Sequence, residues 1–317
     1  MRHAQNLWIT RLSGAGWAHP VADTSDMTTT TPLRGPMLHP RVTTLVRPSG
    51  TVQLGWDPER ALVLETTELD TATVLAFLRL LDGLQSRPQI IWRAGEFGIS
   101  PDRTDALLAA IDRAGLLLQP ERKQAKIRSI TVHGLGPLSD AVTIGLRRMG
   151  FRPTRSRVFR PEVVVGAPGC DLVVLTDALM IDPRLSVDLV LRRMPHLQVR
   201  VRDGIGVVGP LVLPGQTSCL RCADLTRAGL DQDWPHLAAQ LLGRTGHASP
   251  AGVAATTALT LGELEAIVAC SPRRRPATLD ATLELDLDSH ELRRRPWRPH
   301  PECGCRTLAG HHAEVAR

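Results

Sequence analysis

The run Ile130-Thr131-Val132-His133-Gly134-Leu135-Gly136-Pro137-Leu138-Ser139 decides how the C-terminal half of this chain is read. A short strand pattern meets two glycines. Apolar residues at helical spacing then follow through Ala141, Ile144, Leu146 and Met149 to Gly150. A strand, a Gly-x-Gly turn and a helix are how nucleotide-binding α/β units begin, because small residues let the backbone approach a phosphate at the helix N-terminus. Two details weaken the nucleotide reading. Ser139 replaces a third glycine, and Pro137 removes one N–H donor from the turn. The run therefore predicts a Rossmann-type strand–helix turn more firmly than a nucleotide site. Gly134, Gly136, Ser139 and Asp177 are its candidate nucleotide contacts, and His133 reads as a packed residue.

Downstream, Asp171-Leu172-Val173-Val174-Leu175 is a continuous apolar run of the buried parallel type. It ends at Thr176-Asp177, where the carboxyl end of a parallel strand faces a ligand crevice. Val163-Val164-Val165 is a further short strand candidate. A helix through Val187, Val190 and Leu191 precedes a strand at His196–Val201. Gly204, Gly206 and Gly209 then lead into Cys219-Leu220-Arg221-Cys222. Residues 223–243 look helical at their far end, Pro250 opens a long Ala-rich helix, and 279–287 with 292–297 form a hairpin candidate. Pro299-His300-Pro301 delivers Cys303-Gly304-Cys305.

Two short cysteine clips far apart in sequence predict four thiolates, Cys219, Cys222, Cys303 and Cys305, closing one tetrahedral zinc site. Four soft ligands leave no open position, so the expected role is structural. Two disulfides or four unconnected thiols are the other readings. The remaining cysteines, Cys170 and Cys270, sit beside or within apolar runs and read as buried thiols.

Upstream, residues 1–36 lack hydrophobic periodicity and read as a disordered segment. Residues 37–120 read as a small α+β unit. It has strands near 42–46, 52–54 and 61–64, and a helix carrying Val74, Leu75, Phe77, Leu78 and Leu81. A short helix at 89–94 follows, then a helix opened by Ser100-Pro101, and Leu116-Leu117-Leu118 closes the unit. Three strands and three helices in this length predict a winged-helix-like unit. Residues 121–128, which hold both lysines of the chain, read as a linker, and 129–317 form the second domain.

The net charge of +6 is dispersed, and the densest runs, Arg273–Arg275 and Arg293–Arg295, read as solvated faces or hairpin flanks. The helix that would enter a DNA groove carries Asp102, Asp105 and Asp112 against Arg103 and Arg113, which argues against nucleic acid as a partner. Apolar stretches are broken before the about 18 residues that a membrane span needs, and the start lacks a signal-type core. A cytoplasmic protein without a membrane partner is expected.

The segment from Leu38-His39-Pro40 to Gly115-Leu116-Leu117 resembles the leader-peptide recognition domain, or RiPP recognition element. That domain precedes the ThiF-like part of thiazole/oxazole-modified microcin (TOMM) biosynthesis proteins. The resemblance rests on His39-Pro40, Gly50-Thr51-Val52-Gln53-Leu54-Gly55, Leu81-Asp82-Gly83 and Ala114-Gly115-Leu116-Leu117. The second half resembles the ThiF/MoeB/HesA superfamily, through Gly134-Leu135-Gly136, Asp171–Asp177, the run from Gly209 to Cys222, and His300-Pro301-Glu302-Cys303-Gly304-Cys305. The fold class so implied is α/β: a winged-helix-like unit followed by a truncated Rossmann-like ThiF-type domain with a four-cysteine zinc site.

The resemblance implies a protein that binds a precursor leader as an added strand and presents it to a YcaO-type partner for azole-forming cyclodehydration. Val63, Leu64, Val74, Leu78 and Leu81 would line the peptide groove. The resemblance also leaves room for a homodimer. Active superfamily members bind ATP with an Arg, a Lys and an Mg²⁺-organising Asp. Asp177 matches that Asp, although Ala178 follows it in place of Asn. No lysine occurs after Lys126, and the stretch 151–160 carries no acid to hold a ribose. Arg does not substitute freely for Lys at a phosphate, so ATP is not expected, with Arg155, Arg157 and Arg160 the only compensating charges weighed. Two alternatives remain: a residual adenylating enzyme using Asp177, and a winged-helix DNA-binding regulator.

Overall fold

A computed structural model describes residues 33–64, 68–120, 127–157, 169–270 and 274–307. The chain divides into two compact units, Met1–Pro120 and Glu121–Arg317. The strand expected at 163–165, Arg160, both lysines, and most of the 1–36 and 121–128 segments lie outside the described residues.

The first unit runs β1 (Met37–Leu38), β2 (Thr44–Val46), β3 (Val52–Leu54), β4 (Leu62–Leu64), α1 (Thr71–Arg79), α2 (Arg87–Glu96), α3 (Pro101–Arg113) and β5 (Leu117–Leu118). Each helix starts where a short polar side chain replaces a missing backbone partner. The Asp70 carboxylate accepts from Thr73 N–H at 2.7 Å, the Ser86 N–H donates to the Gln89 side chain at 2.8 Å, and Ser100 Oγ accepts from Arg103 N–H at 3.3 Å. Strands β2, β3 and β4 form an antiparallel sheet in that order, and β1 pairs with β5. The Arg34 and Gly35 N–H groups both donate to the Gly83 carbonyl, so backbone pairing begins ahead of β1.

The register places Val52, Leu54, Leu62 and Leu64 on one face of the sheet, and Leu45, Gln53 and Val63 on the other. The first face packs on Phe77, Ile90 and Ile111. This bears on the residues expected to line a peptide groove. Leu64, Val74, Leu78 and Leu81 are all members of the buried core, and only Val63 is half-exposed on the opposite face. A unit this small has one interior. The helical spacing of Val74, Leu78 and Leu81 and the period-two position of Leu64 all serve it.

The second unit runs β6 (Ile130–His133), α4 (Pro137–Arg148), β7 (Thr154–Ser156), β8 (Leu172–Thr176), α5 (Pro183–Leu191), β9 (His196–Arg202), β10 (Ile205–Val212), α6 (Leu220–Leu230), α7 (Trp234–Gln240), α8 (Pro250–Ala269), β11 (Ala281–Asp286) and β12 (Glu291–Pro296). They build one seven-stranded sheet in the order β12-β11-β10-β9-β8-β6-β7. The four strands β7, β6, β8 and β9 are parallel, and β9 through β12 are antiparallel to one another. The parallel part is the Rossmann-like half expected from the strand–turn–helix run. Strand β7, Thr154–Ser156, which the sequence did not mark, pairs with β6.

Alternation along β8 and β9 divides the core in two. Leu172, Val174, Leu197, Val199 and Val201 meet α4 and α8, while Val173 and Leu175 meet α5 and α6. By length and composition alone α8 could cross a membrane, contrary to the expectation from the sequence; here Thr256, Thr260, Leu264 and Ile267 are buried against the core. Cys170 is half-buried beside Thr131, and Cys270 is exposed at the left-handed end of α8, which corrects the expectation of a buried thiol there.

Candidate metal centre and the filled glycine turn

Helix α6 begins at the first clip. Cys219 caps its N-terminus and Cys222 lies in its first turn, so both sulfurs sit at the positive end of the helix dipole, which favours thiolate. Ser218 is held by its N–H, which donates to the Asp280 carboxylate at 2.6 Å. The Asp280 carbonyl in turn accepts from Trp297 N–H at 2.8 Å. Through Asp280, the loop before β11 ties the first clip to the segment that carries the second. Nothing in the local sequence marks Asp280 for this role, since its partners lie 62 residues back and 17 ahead.

The four sulfurs of Cys219, Cys222, Cys303 and Cys305 lie within 4.8 Å of one another, and all four residues are buried. Cys219 stands 3.7 Å from Cys222 and 3.6 Å from Cys303, and Cys222 stands 3.7 Å from Cys305. A tetrahedral ion with metal–sulfur bonds of about 2.3 Å has sulfur–sulfur edges of about 3.8 Å, so the geometry fits such an ion. A disulfide needs about 2.05 Å, so the distances disfavour two disulfides. The thiol of Cys219 donates to Cys222 and holds it down to about 4, while that same bond, with burial, pushes Cys219 up. Burial and the Cys222 charge push Cys305 up to about 12. Four buried thiolates cannot coexist without a cation, and this donor set is the one a soft metal ion would bind.

At the glycine turn, Asp177 takes a left-handed backbone conformation at the end of β8, with φ of 70°, and its side chain turns into the N-terminus of α4. One carboxylate oxygen accepts from Leu138 N–H at 2.9 Å and the other from Ser139 N–H at 3.0 Å. Asp177 is 3% exposed. A Cβ on Gly136 would lie 2.6 Å from the Asp177 carboxylate, and one on Gly134 would collide with the Thr176 side chain. The glycines therefore allow close approach to the end of β8, and the anion at this helix N-terminus belongs to the chain itself. Ser139 Oγ donates to the Gly136 carbonyl and accepts from Arg155. Arg155 also pairs with Asp140 at 2.7 Å. Of the arginines weighed as phosphate ligands, Arg155 is engaged inside the turn and Arg157 is exposed. The His133 ring stands 3.1 Å from the Ser156 hydroxyl, and burial lowers its pKa. Strand β7 ends at Ser156, and the described residues just after it, through Arg157, include no acid.

The structure brings the four cysteines together and brings Gly134, Gly136, Ser139 and Asp177 together. It leaves Val63 apart from the other four groove residues. No family model matches the sequence, and no curated protein does. Among solved structures, the heterocyclase TruD superposes with a TM-score of 0.59 at 16% identity, over 86% of this chain and 42% of TruD. MccB of E. coli, solved with ATP, superposes with a TM-score of 0.58 at 12% identity, over 85% of this chain and 99% of MccB. MccB in complex with N-formylated MccA gives 0.56 at 11% identity, over 86% and 99%. The chain thus spans less than half the length of TruD and nearly all of MccB, and what it shares with them is the fold.

Proposed function

We propose that this chain is a non-catalytic, zinc-stabilised scaffold that binds the leader of a precursor peptide and presents it to a YcaO-type partner for azole-forming cyclodehydration. The observation behind the non-catalytic part is that the Asp177 carboxylate takes the Leu138 and Ser139 N–H groups, donors a phosphate would need at this helix start, while no lysine follows Lys126. Zinc is the ion we assign to the four cysteines. It would add a cross-link between α6 and the segment after β12, and no chemistry.

Leader binding draws on three supports. The fold is shared with a heterocyclase and with MccB, which has been solved with its peptide MccA. The first unit, which we read as winged-helix-like, ends its three-stranded sheet in β4, an edge strand on which an extended peptide can add. Val63, half-exposed in β4, is the one groove candidate that a peptide can reach without disturbing the core. Calorimetric titration of the zinc-loaded chain with its cognate leader is the direct test. Saturable binding is expected at micromolar concentration; a folded sample that shows no binding ends this reading.

The competing adenylating enzyme predicts pyrophosphate–ATP exchange that Asp177→Ala abolishes. A DNA-binding regulator predicts salt-dependent duplex binding through α3, whose Arg87–Asp105 pair at 2.9 Å instead ties that helix to α2.

A further inference from the structure

Strand β9 reads His196-Leu197-Gln198-Val199-Arg200-Val201-Arg202, an alternation that on a half-buried sheet would put its polar members in water. Here the polar row is covered. His196, Gln198 and Arg200 are 0%, 4% and 6% exposed and lie on the face carrying α5 and α6. Between those helices and the strand lies a cavity of about 240 Å³. Its walls are largely apolar, with Met180, Ile181, Val187, Pro210 and Leu220, and Gln198 and Arg200 stand among them.

Two polar groups that line this cavity have hydrogen-bonding capacity to spare. Arg200 donates one N–H, to the Leu179 carbonyl at 3.0 Å. The nearby carboxylate, Asp224, is bonded to a different arginine, Arg227, at 2.8 Å. Arg227 in turn lies against the Trp234 and Trp297 rings. No hydrogen bond among the described residues engages the Gln198 side-chain amide. A guanidinium presents five donors, and a buried one with a single neutral acceptor is costly. Burial, with the neighbouring charges of Arg227 and Arg202, pulls Arg200 down to about 9, an effect that Asp224 and Glu284 offset only in part. The charged lining is three arginines (Arg200, Arg221, Arg227) against one aspartate, which favours an anion.

We propose that this cavity binds a small monocarboxylate with an apolar body, its carboxylate on Arg200 and Gln198 and its hydrocarbon against Met180, Ile181 and Val187. A carboxylate suits the planar donor fork of Arg200, and the apolar walls suit an aliphatic or aromatic acid better than a hydrated phosphate. The site is separate from the glycine turn and from β4, so its test is independent of the peptide titration.

The probes are 4-methylpentanoate, its primary amide and inorganic phosphate, added to the full zinc-loaded chain and followed by ligand-observed NMR and thermal denaturation. The acid is expected to bind at millimolar concentration or below and to raise Tm, with the amide and phosphate at least about tenfold weaker. Arg200→Met should weaken the acid by at least about tenfold. Because that change touches a buried strand, Val187→Trp, which fills the cavity from its rim, is the second variant and should also abolish binding. The proposal is overturned if the acid fails to bind folded protein at ~10 mM. It is equally overturned if the amide or phosphate matches the acid, or if Val187→Trp binds as the wild type does.

Discussion

Two helix N-termini in the second unit meet the same physical problem with different chemistry. At α4 the free N–H groups of Leu138 and Ser139 are satisfied by Asp177. At α6 the positive end faces Cys219 and Cys222, with Cys303 and Cys305 completing the cluster. Both use the electrostatics of a helix start to hold acidic groups. The α4 end is complete as it stands: one carboxylate, two N–H donors and a glycine that lets them meet. The α6 end collects four buried thiols placed as a soft metal ion would take them. An internal anion makes a helix start self-sufficient, whereas a cluster of thiols leaves room for a ligand from outside.

The largest effect should come from the dependent end. Cys222→Ser, or a strong chelator, is expected to remove about one metal equivalent per chain and to abolish cooperative unfolding of the second unit, read by elemental analysis and calorimetry. A variant that unfolds as cooperatively as the wild type with no metal would break the contrast.

Acid provides the next effect and separates the cluster from the core around it. Burial holds His196 down to about 4, below the ordinary 6.5, with the hydrogen bond to Met194 opposing the shift only in part. A depressed histidine is neutral in the fold and charges on unfolding, so the unfolded chain binds more protons. Its contribution is intact above pH 6.5 and is lost as pH falls toward 4, on the order of 3 kcal/mol in all. Denaturant titrations of wild type and His196→Leu across that window should diverge by this amount; parallel curves would exclude it. Chelator experiments are therefore best made above pH 6.5.

The smallest effect belongs to the self-sufficient end. Asp177→Ala leaves two buried N–H groups without a partner and should cost about 1–3 kcal/mol, while ATP exchange stays absent in both proteins. Measurable exchange in the wild type would instead make Asp177 a catalytic group and reverse the comparison.

Much of this is legible in the sequence. The spacing of Ile130–Ser139 specified strand β6, its turn and α4. The apolar run before Thr176 specified β8, Ser100-Pro101 marked the start of α3, and the two clips named the four residues that converge. These are local signals, or chemistry so specific that distance in sequence does not hide it. Other features were hidden for identifiable reasons. Strand β10 carries Gly206, Gly209 and Pro210, whose turn-like composition masks its pairing with β9 and β11. Val74 and Leu78 have the periodicity of any buried helix face, and periodicity does not tell a core from a groove. The arginines of β12 read as a hairpin flank, and they do lie on an edge strand, where charge discourages further pairing.

By itself the sequence determined most of the helices and the strands β6, β8 and β9, which thiols can share one ion, and that no lysine follows Lys126. Only the tertiary structure decided that Asp177 fills the glycine turn. The carboxylate and the Leu138 and Ser139 N–H groups stand 39 and 38 residues apart and meet because β6 and β8 are neighbours in the sheet. It likewise decided that the polar row of β9 is buried, because alternation assigns side chains to two faces and the packing of α5 and α6 determines which face meets water.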